Sequence, residues 1–208
     1  LCSRKWLQAP VPTFNGQQPI MDSEGGIRNI LMVDCSCSGA ALPFPKQLKA
    51  PFPIHSAHSL CTSHSEREHL LEIALRHRLT DVIISGCSSE PLPNSFKSNC
   101  HSIGCSLRGF DLLQTQSYRT LPSPFQLTEI ELKIASLHDP WPESAIHQRI
   151  FAILENSKIG GLILDTRQHA DSWGMQIRPE QVLLQLEPKH LSSVLQKTQT
   201  LDIPTIVL

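Results

Sequence analysis

The stretch Asn29-Ile30-Leu31-Met32-Val33-Asp34-Cys35-Ser36-Cys37-Ser38-Gly39 decides how this sequence reads. Ile30 to Val33 is a short continuous apolar run, the pattern of a strand buried on both faces of a parallel sheet. It stops at an acidic residue and a Cys-Ser-Cys pair. Two further segments repeat the arrangement. Ile54 to Leu60 reads as a strand ending at Cys61, and Val82-Ile83-Ile84 as a strand ending at Ser85-Gly86-Cys87. Between them lies the clearest helix. Ser63 and Glu66 have capping-box spacing, and Ser65 with Glu68 offers a second start. Leu70, Leu71, Ala74, Leu75 and Leu79 then recur at helical spacing, and Thr80-Asp81 is expected to close the helix.

Strand, helix, strand implies a parallel pair with a right-handed crossover. Ligands of open parallel sheets sit beyond the carboxyl ends of the strands. If these strands are neighbours, Cys35, Cys37, Cys61 and Cys87 gather on one edge and form one site.

Working outward, residues 1–27 carry Pro10, Pro12, Gly16, Pro19 and Gly25-Gly26 and read as an extended arm or linker. Residues 28–110 form the expected cluster-binding domain. Its last part, 88–110, reads as a polar loop containing Cys100 and Cys105. Residues 111–142 are a connector, with a short helix at 127–137 and a break at Pro140-Trp141-Pro142. Residues 143–208 form a second unit. Helices are expected at Ser144 to Leu154 and Pro188 to Lys197, with strands at Ile159 to Leu164 and Ile203 to Leu208. Asp165, at the end of the first of these strands, reads as a turn or cap aspartate rather than a ligand. The expected fold class is α/β: a parallel-sheet cluster-binding domain followed by a second small α/β unit.

Composition narrows the function. The 208 residues carry 18 Lys and Arg against 19 Asp and Glu, so the basic surplus that nucleic acid demands is missing. Aromatics are 5%, too sparse for a base-stacking platform. No apolar run approaches the roughly 18 residues of a membrane span. The glycine fingerprints of dinucleotide and phosphate loops are also missing. Arg4 and Lys5 are followed by Pro10 and Pro12, not by the apolar core of a signal peptide. Seven cysteines, an odd and modest number, then point to a reducing, cytoplasmic setting, where such clusters bind metal or do chemistry. The closing apolar run Ile206-Val207-Leu208 reads as a strand interior, so the chain is expected to be a fragment.

Four strand-end thiols admit several chemistries. Zinc and iron–sulfur clusters both accept four thiolates. The Cys-x-x-Cys knuckles usual for structural zinc are absent, and a larger cluster takes ligands from several loops more readily. Small residues such as Ser36, Ser38, Gly39, Ser63, Gly86, Ser88 and Ser89 would let backbone N–H groups approach the sulfurs. A metal-free or zinc-bound scaffold and a thiol-disulfide enzyme remain open. The nearby His55, His58, His64 and His69 are read as mostly solvated. Cys100 and Cys105 are candidate additional ligands or plain thiols, and Cys2 in the arm reads as idle. No catalytic residue is assigned.

Cys35-Ser36-Cys37-Ser38-Gly39 resembles the Cys-x-Cys-Gly start of the N-terminal iron–sulfur domain of heterodisulfide reductase. Leu60-Cys61-Thr62-Ser63 is similar to that family's strand-end Cys-Ser, and Val82 to Ser88 to its strand ending in Ala-Ser-Cys-Ser-Pro. The order agrees over residues 28–97. Ser89-Glu90-Pro91 departs from the family's proline-led stretch. The resemblance implies an electron-transfer domain with a 4Fe-4S cluster on Cys35, Cys37, Cys61 and Cys87, working among other redox subunits of a larger complex. Family members continue into a flavin domain, so FAD is expected only in a missing or partner domain. The small iron–sulfur subunit of methyl-viologen-reducing hydrogenase is similar over the same region. It carries a Cys-x-x-x-x-Cys pair like Cys100 and Cys105, and implies a 2Fe-2S cluster instead.

Overall fold

The computed structural model describes residues 20–21, 25–48, 50–87, 89–113, 124–137, 143–167 and 176–208. Most of the expected arm, Cys2 and the Pro140-Trp141-Pro142 break lie outside these residues. The described residues fall into two compact units. Those up to 43 and those of 50–113 form the first, and those of 44–48 and from 124 onward form the second.

The first unit is a four-stranded parallel sheet of β1 (Ile30–Cys35), β2 (Ile54–Ala57), β3 (Asp81–Gly86) and β4 (Ser106–Asp111), in the order β2-β1-β3-β4. Helix α1 (His64–His77) links β2 to β3, and α2 (Asn94–Ser102) links β3 to β4. β1 and β3 form the centre, which is why both are apolar without alternation: Met32, Val33 and Ile83 are completely buried. Leu31, Val33, Val82 and Ile84 pack on one face with Leu70 and Ala74 of α1 and Phe96 and Cys100 of α2.

α1 starts as the sequence indicates, at Ser63, whose side chain accepts from the Glu66 N–H at 3.3 Å. The Glu66 carboxylate does not complete a capping box. It reaches further back and accepts from the backbone N–H groups of His58 (3.0 Å) and Ser59 (2.8 Å). The helix ends before Thr80-Asp81, at Arg78, which adopts a left-handed conformation (φ 49°). Asp81 instead opens β3 as a buried anion.

Residues 88–110 are not one polar loop: they hold α2 and β4. The sequence Asn-Ser-Phe-Lys-Ser-Asn-Cys-His-Ser has weak helix propensity, and only Phe96 and Cys100, four residues apart, are buried. Tertiary packing of that pair selects the helix. β2 is shorter than expected. It ends at Ala57, which leaves Cys61 in the following turn, four residues beyond the strand.

The second unit is a three-stranded parallel sheet, β6-β5-β7, built from β5 (Gly161–Asp165), β6 (Gln181–Gln185) and β7 (Thr205–Val207). It is joined by α3 (Gln126–Ala135), α4 (Glu143–Asn156) and α5 (Pro188–Thr200). β6 has only three apolar residues between two glutamines, too short a run to stand out, yet Val182, Leu183 and Leu184 are completely buried. Asp165 is buried at the end of β5 and holds Arg167 through its N–H (3.0 Å), Nε (2.9 Å) and Nη2 (3.1 Å). Burial pushes its carboxyl up, but these bonds outweigh it and hold the group below the usual range. It is a turn aspartate.

Candidate functional site

In the order β2-β1-β3-β4 the chain leaves β1 toward one side of the sheet and β3 toward the other. The crevice beyond the carboxyl ends of β1 and β3 is the topological switch point, where such sheets take their ligands. Cys35 is the last residue of β1, Cys37 follows two residues later, and Cys87 directly follows β3. The Cys37 thiol is within hydrogen-bond reach of both Cys35 and Cys87. Cys61 lies within electrostatic reach of Cys87. The four thiols that end the apolar runs therefore stand at one sheet edge, with Cys35, Cys37 and Cys87 in the closest group. All four are free thiols.

The loop that carries Cys37 is held in an unusual shape. Cys37 (φ 48°) and Ser38 (φ 59°) are both left-handed without being glycine. Such conformations cost energy and persist only where surrounding bonds impose them. Here Ser36 N–H donates to Ala57 (2.9 Å) and Ser38 N–H to His58 (2.8 Å), while the Ser36 hydroxyl lies 3.0 Å from His58 Nδ1. These bonds fasten the loop to the last residue of β2 and the one that follows it. The Cys61 turn is fixed in turn by Arg67, whose Nη1 donates to the carbonyls of Leu60 (2.7 Å) and Cys61 (3.1 Å).

Gly86 makes the close approach of β1 and β3 ends possible. A Cβ at this position would lie 2.5 Å from the Cys35 carbonyl oxygen and 2.9 Å from the Cys37 sulfur. Its φ of +101° is also one that side chains rarely adopt.

Burial and the neighbouring Cys35 and Cys87 push the Cys37 thiol up to about 12. Burial also raises Cys87, although its hydrogen bond with Cys37 acts the other way. A thiol shifted upward is a poorer nucleophile near neutral pH, and this applies to Cys37 and Cys87. Among the described residues, no group of three or more His, Cys, Asp or Glu side chains is placed to hold a single metal ion. Of the nearby histidines, His58 is bonded to the Ser36 hydroxyl of the cysteine loop, while His55 and His64 are engaged elsewhere. His55 packs against His69 at 5.6 Å between ring centres, and His64 pairs with Glu68 on an exposed face of α1.

Cys100 and Cys105 are not brought to this edge. Cys105 immediately precedes β4 and interacts with Asp81, the first residue of β3, so the pair sits at the amino end of the sheet. A six-residue strand separates the two ends, roughly 20 Å. Their spacing has a backbone origin. Cys105 N–H donates to Cys100 (2.9 Å) and Gly104 N–H to His101 (2.9 Å), with Gly104 at φ +75°. That is a Schellman helix end, whose first and sixth residues pack together. The same bond pattern closes α1 through Ala74 and Leu79 and α5 through Thr198 and Ile203. The two cysteines thus occupy positions that Ala and Leu fill elsewhere in this chain. Burial pushes Cys100 up to about 11, and burial with the neighbouring Cys100 and Asp81 pushes Cys105 up to about 12. Both should resist iodoacetamide at neutral pH in the folded protein and react after denaturation, as peptide mass mapping would show.

Two neighbours of the site, Ser59 and Asp111, carry no local sequence signal, and a third, Glu66, carries only that of a helix cap. Ser59 is buried beside Cys61, with its hydroxyl 4.0 Å from the sulfur. Asp111, paired with Gly86 in the sheet, acts electrostatically on Cys87. Glu66 is visible in sequence only as a helix cap, yet it ties the turn before Cys61 to α1. Burial raises its carboxyl, but the bonds from Ser59 and His58 outweigh burial and lower it below its ordinary 4.5. A lowered carboxyl stabilises the fold above its unfolded value and loses that contribution as the pH falls through the folded one. Glu66→Gln should therefore cost about 1 kcal/mol at pH 7 and less below about pH 4, read by urea unfolding at the two pH values.

No family model, curated protein or solved structure matches this chain.

Proposed function

We propose that the first unit is an iron–sulfur electron-transfer domain of a heterodisulfide-reductase-like redox complex, with Cys35, Cys37, Cys61 and Cys87 as cluster ligands. The observation that carries this reading is the convergence of thiols from three separate loops at the switch point. The donor chemistry fits, since four cysteine sulfurs suit a 4Fe-4S or a 2Fe-2S cluster. A cluster is larger than an ion, so ligands too dispersed for one ion can still suit it. When bound, the cluster would supply one-electron transfer. The chain's own residues would supply the frame: Gly86 admits the Cys37 sulfur, and Arg67 and Glu66 hold the Cys61 turn. FAD, other subunits and a cytoplasmic setting belong to the same reading. The described residues contain no helix long and apolar enough to cross a membrane.

Anaerobic reconstitution with iron and sulfide, followed by visible absorption, metal analysis and EPR of the reduced protein, tests the proposal. Wild type should take up both elements, and Cys35→Ser and Cys87→Ser should hold several-fold less iron. Equal iron in wild type and both variants defeats the reading. A colourless protein containing zinc would mark a structural site instead. A metal-free protein with one rapidly alkylated cysteine would mark a thiol-disulfide enzyme.

A further inference from the structure

Ser59 is a polar residue only 5% exposed, in the turn between β2 and α1. Its hydroxyl meets three partners: the Ser38 hydroxyl, which donates to it at 3.0 Å, the Thr62 hydroxyl at 2.5 Å, and the Cys61 sulfur at 4.0 Å. A serine hydroxyl has one proton and two lone pairs, so three contacts fill it completely. Ser38 takes one lone pair. The remaining lone pair and the proton must be shared between Thr62 and Cys61. A ligating Cys61 is a thiolate and can only accept. The Ser59 proton then goes to sulfur, and Thr62 must donate to Ser59.

We propose that Ser59 is a positioning residue whose hydroxyl donates to the Cys61 sulfur, oriented by Ser38 and Thr62, and raises the reduction potential at this site. This rests on the cluster reading above. With both lone pairs occupied by donors, the Ser59 O–H is polarised and becomes a stronger donor. A hydrogen bond to a ligand sulfur favours the more negative, reduced state. The three hydroxyls come from the β1 loop and the Cys61 turn, so they also link the two ligand-bearing segments.

Wild type, Ser59→Ala and Ser59→Thr are reconstituted in parallel. Iron per chain, reduction midpoint and exchangeable-proton couplings in the reduced protein are then measured. The expected result is equal iron in all three, with a more negative midpoint in Ser59→Ala. One coupling that vanishes in deuterated buffer should be present in wild type and missing from Ser59→Ala, and Ser59→Thr should restore both properties. Equal iron with unchanged midpoint and couplings overturns the assignment and leaves the cluster reading intact. A wild type that binds no iron overturns both. If Ser59→Ala does not fold, Thr62→Val at an exposed position carries the test. It removes one of the two donors to Ser59, so its midpoint should move in the same direction by a smaller amount. An unchanged midpoint overturns the proposal.

Discussion

Gly86→Ala is expected to destabilise the first unit by about 3 kcal/mol and lower its melting temperature by roughly 10–20 °C. Two costs act together. The backbone at φ +101° is unfavourable for any L side chain, and the added methyl would sit 2.5 Å from the Cys35 carbonyl oxygen. That oxygen belongs to the last residue of a central strand paired on both sides, so it has little room to retreat. The other neighbour, the Cys37 sulfur at 2.9 Å, can move only by disturbing a loop already in a left-handed conformation. The same substitution should therefore reduce iron uptake on reconstitution, even at temperatures where the protein stays folded. Differential scanning calorimetry and iron analysis on one preparation would read the two effects. A melting temperature within about 3 °C of wild type would show that the strand ends can separate, and that Gly86 does not set the sulfur spacing.

Gly86 also shows what sequence can and cannot reveal here. The apolar runs before Cys35 and Cys87 are legible because a strand buried on both faces must be continuously apolar. That rule yields parallel strands and places their cysteines at the carboxyl edge. Strand order was not legible. β1 lies between β2 and β3, and this makes the β1 and β3 ends adjacent at the switch point. Gly86 could be read as a small residue, but its clash with Cys35 exists only across that pairing, between residues 51 positions apart (86 less 35).

The Cys100 and Cys105 pair marks the opposite limit. Two thiols five residues apart look alike in one dimension whether they ligate or pack. The chain closes α1, α2 and α5 with the same hydrogen-bond pattern, so the spacing follows from how helices end. Composition misled as well. α2 is rich in Ser and Asn, and its helical state depends on Phe96 and Cys100 meeting a core that the local sequence does not contain.

Asp81→Asn is expected to cost about 3–5 kcal/mol, the largest effect of any single polar change in the first unit. Asp81 is 1% exposed and receives the Arg28 guanidinium through both Nε (3.0 Å) and Nη2. Thr80 Oγ1 donates to it at 2.6 Å, and Arg108 Nη2 stands 3.3 Å away on β4. The residue thus joins three segments at the amino end of the sheet: the entry to β1, the start of β3, and β4. Asparagine keeps the shape but removes the charge and presents donors to two guanidinium groups. Arg28 and Arg108, with side chains 13% and 27% exposed, would then both lose the Asp81 carboxylate. Because each can reach some water, the loss should fall nearer the lower figure than a fully sealed pair would give. Asp81 is far from the cysteines of the carboxyl edge, so this variant separates stability from the site. It should lose stability in urea yet, below its transition, take up as much iron as wild type. Gly86→Ala should lose both. If Asp81→Asn also loses iron while still folded, the two ends of the sheet are coupled, and the site depends on the whole sheet rather than on the geometry of its carboxyl edge.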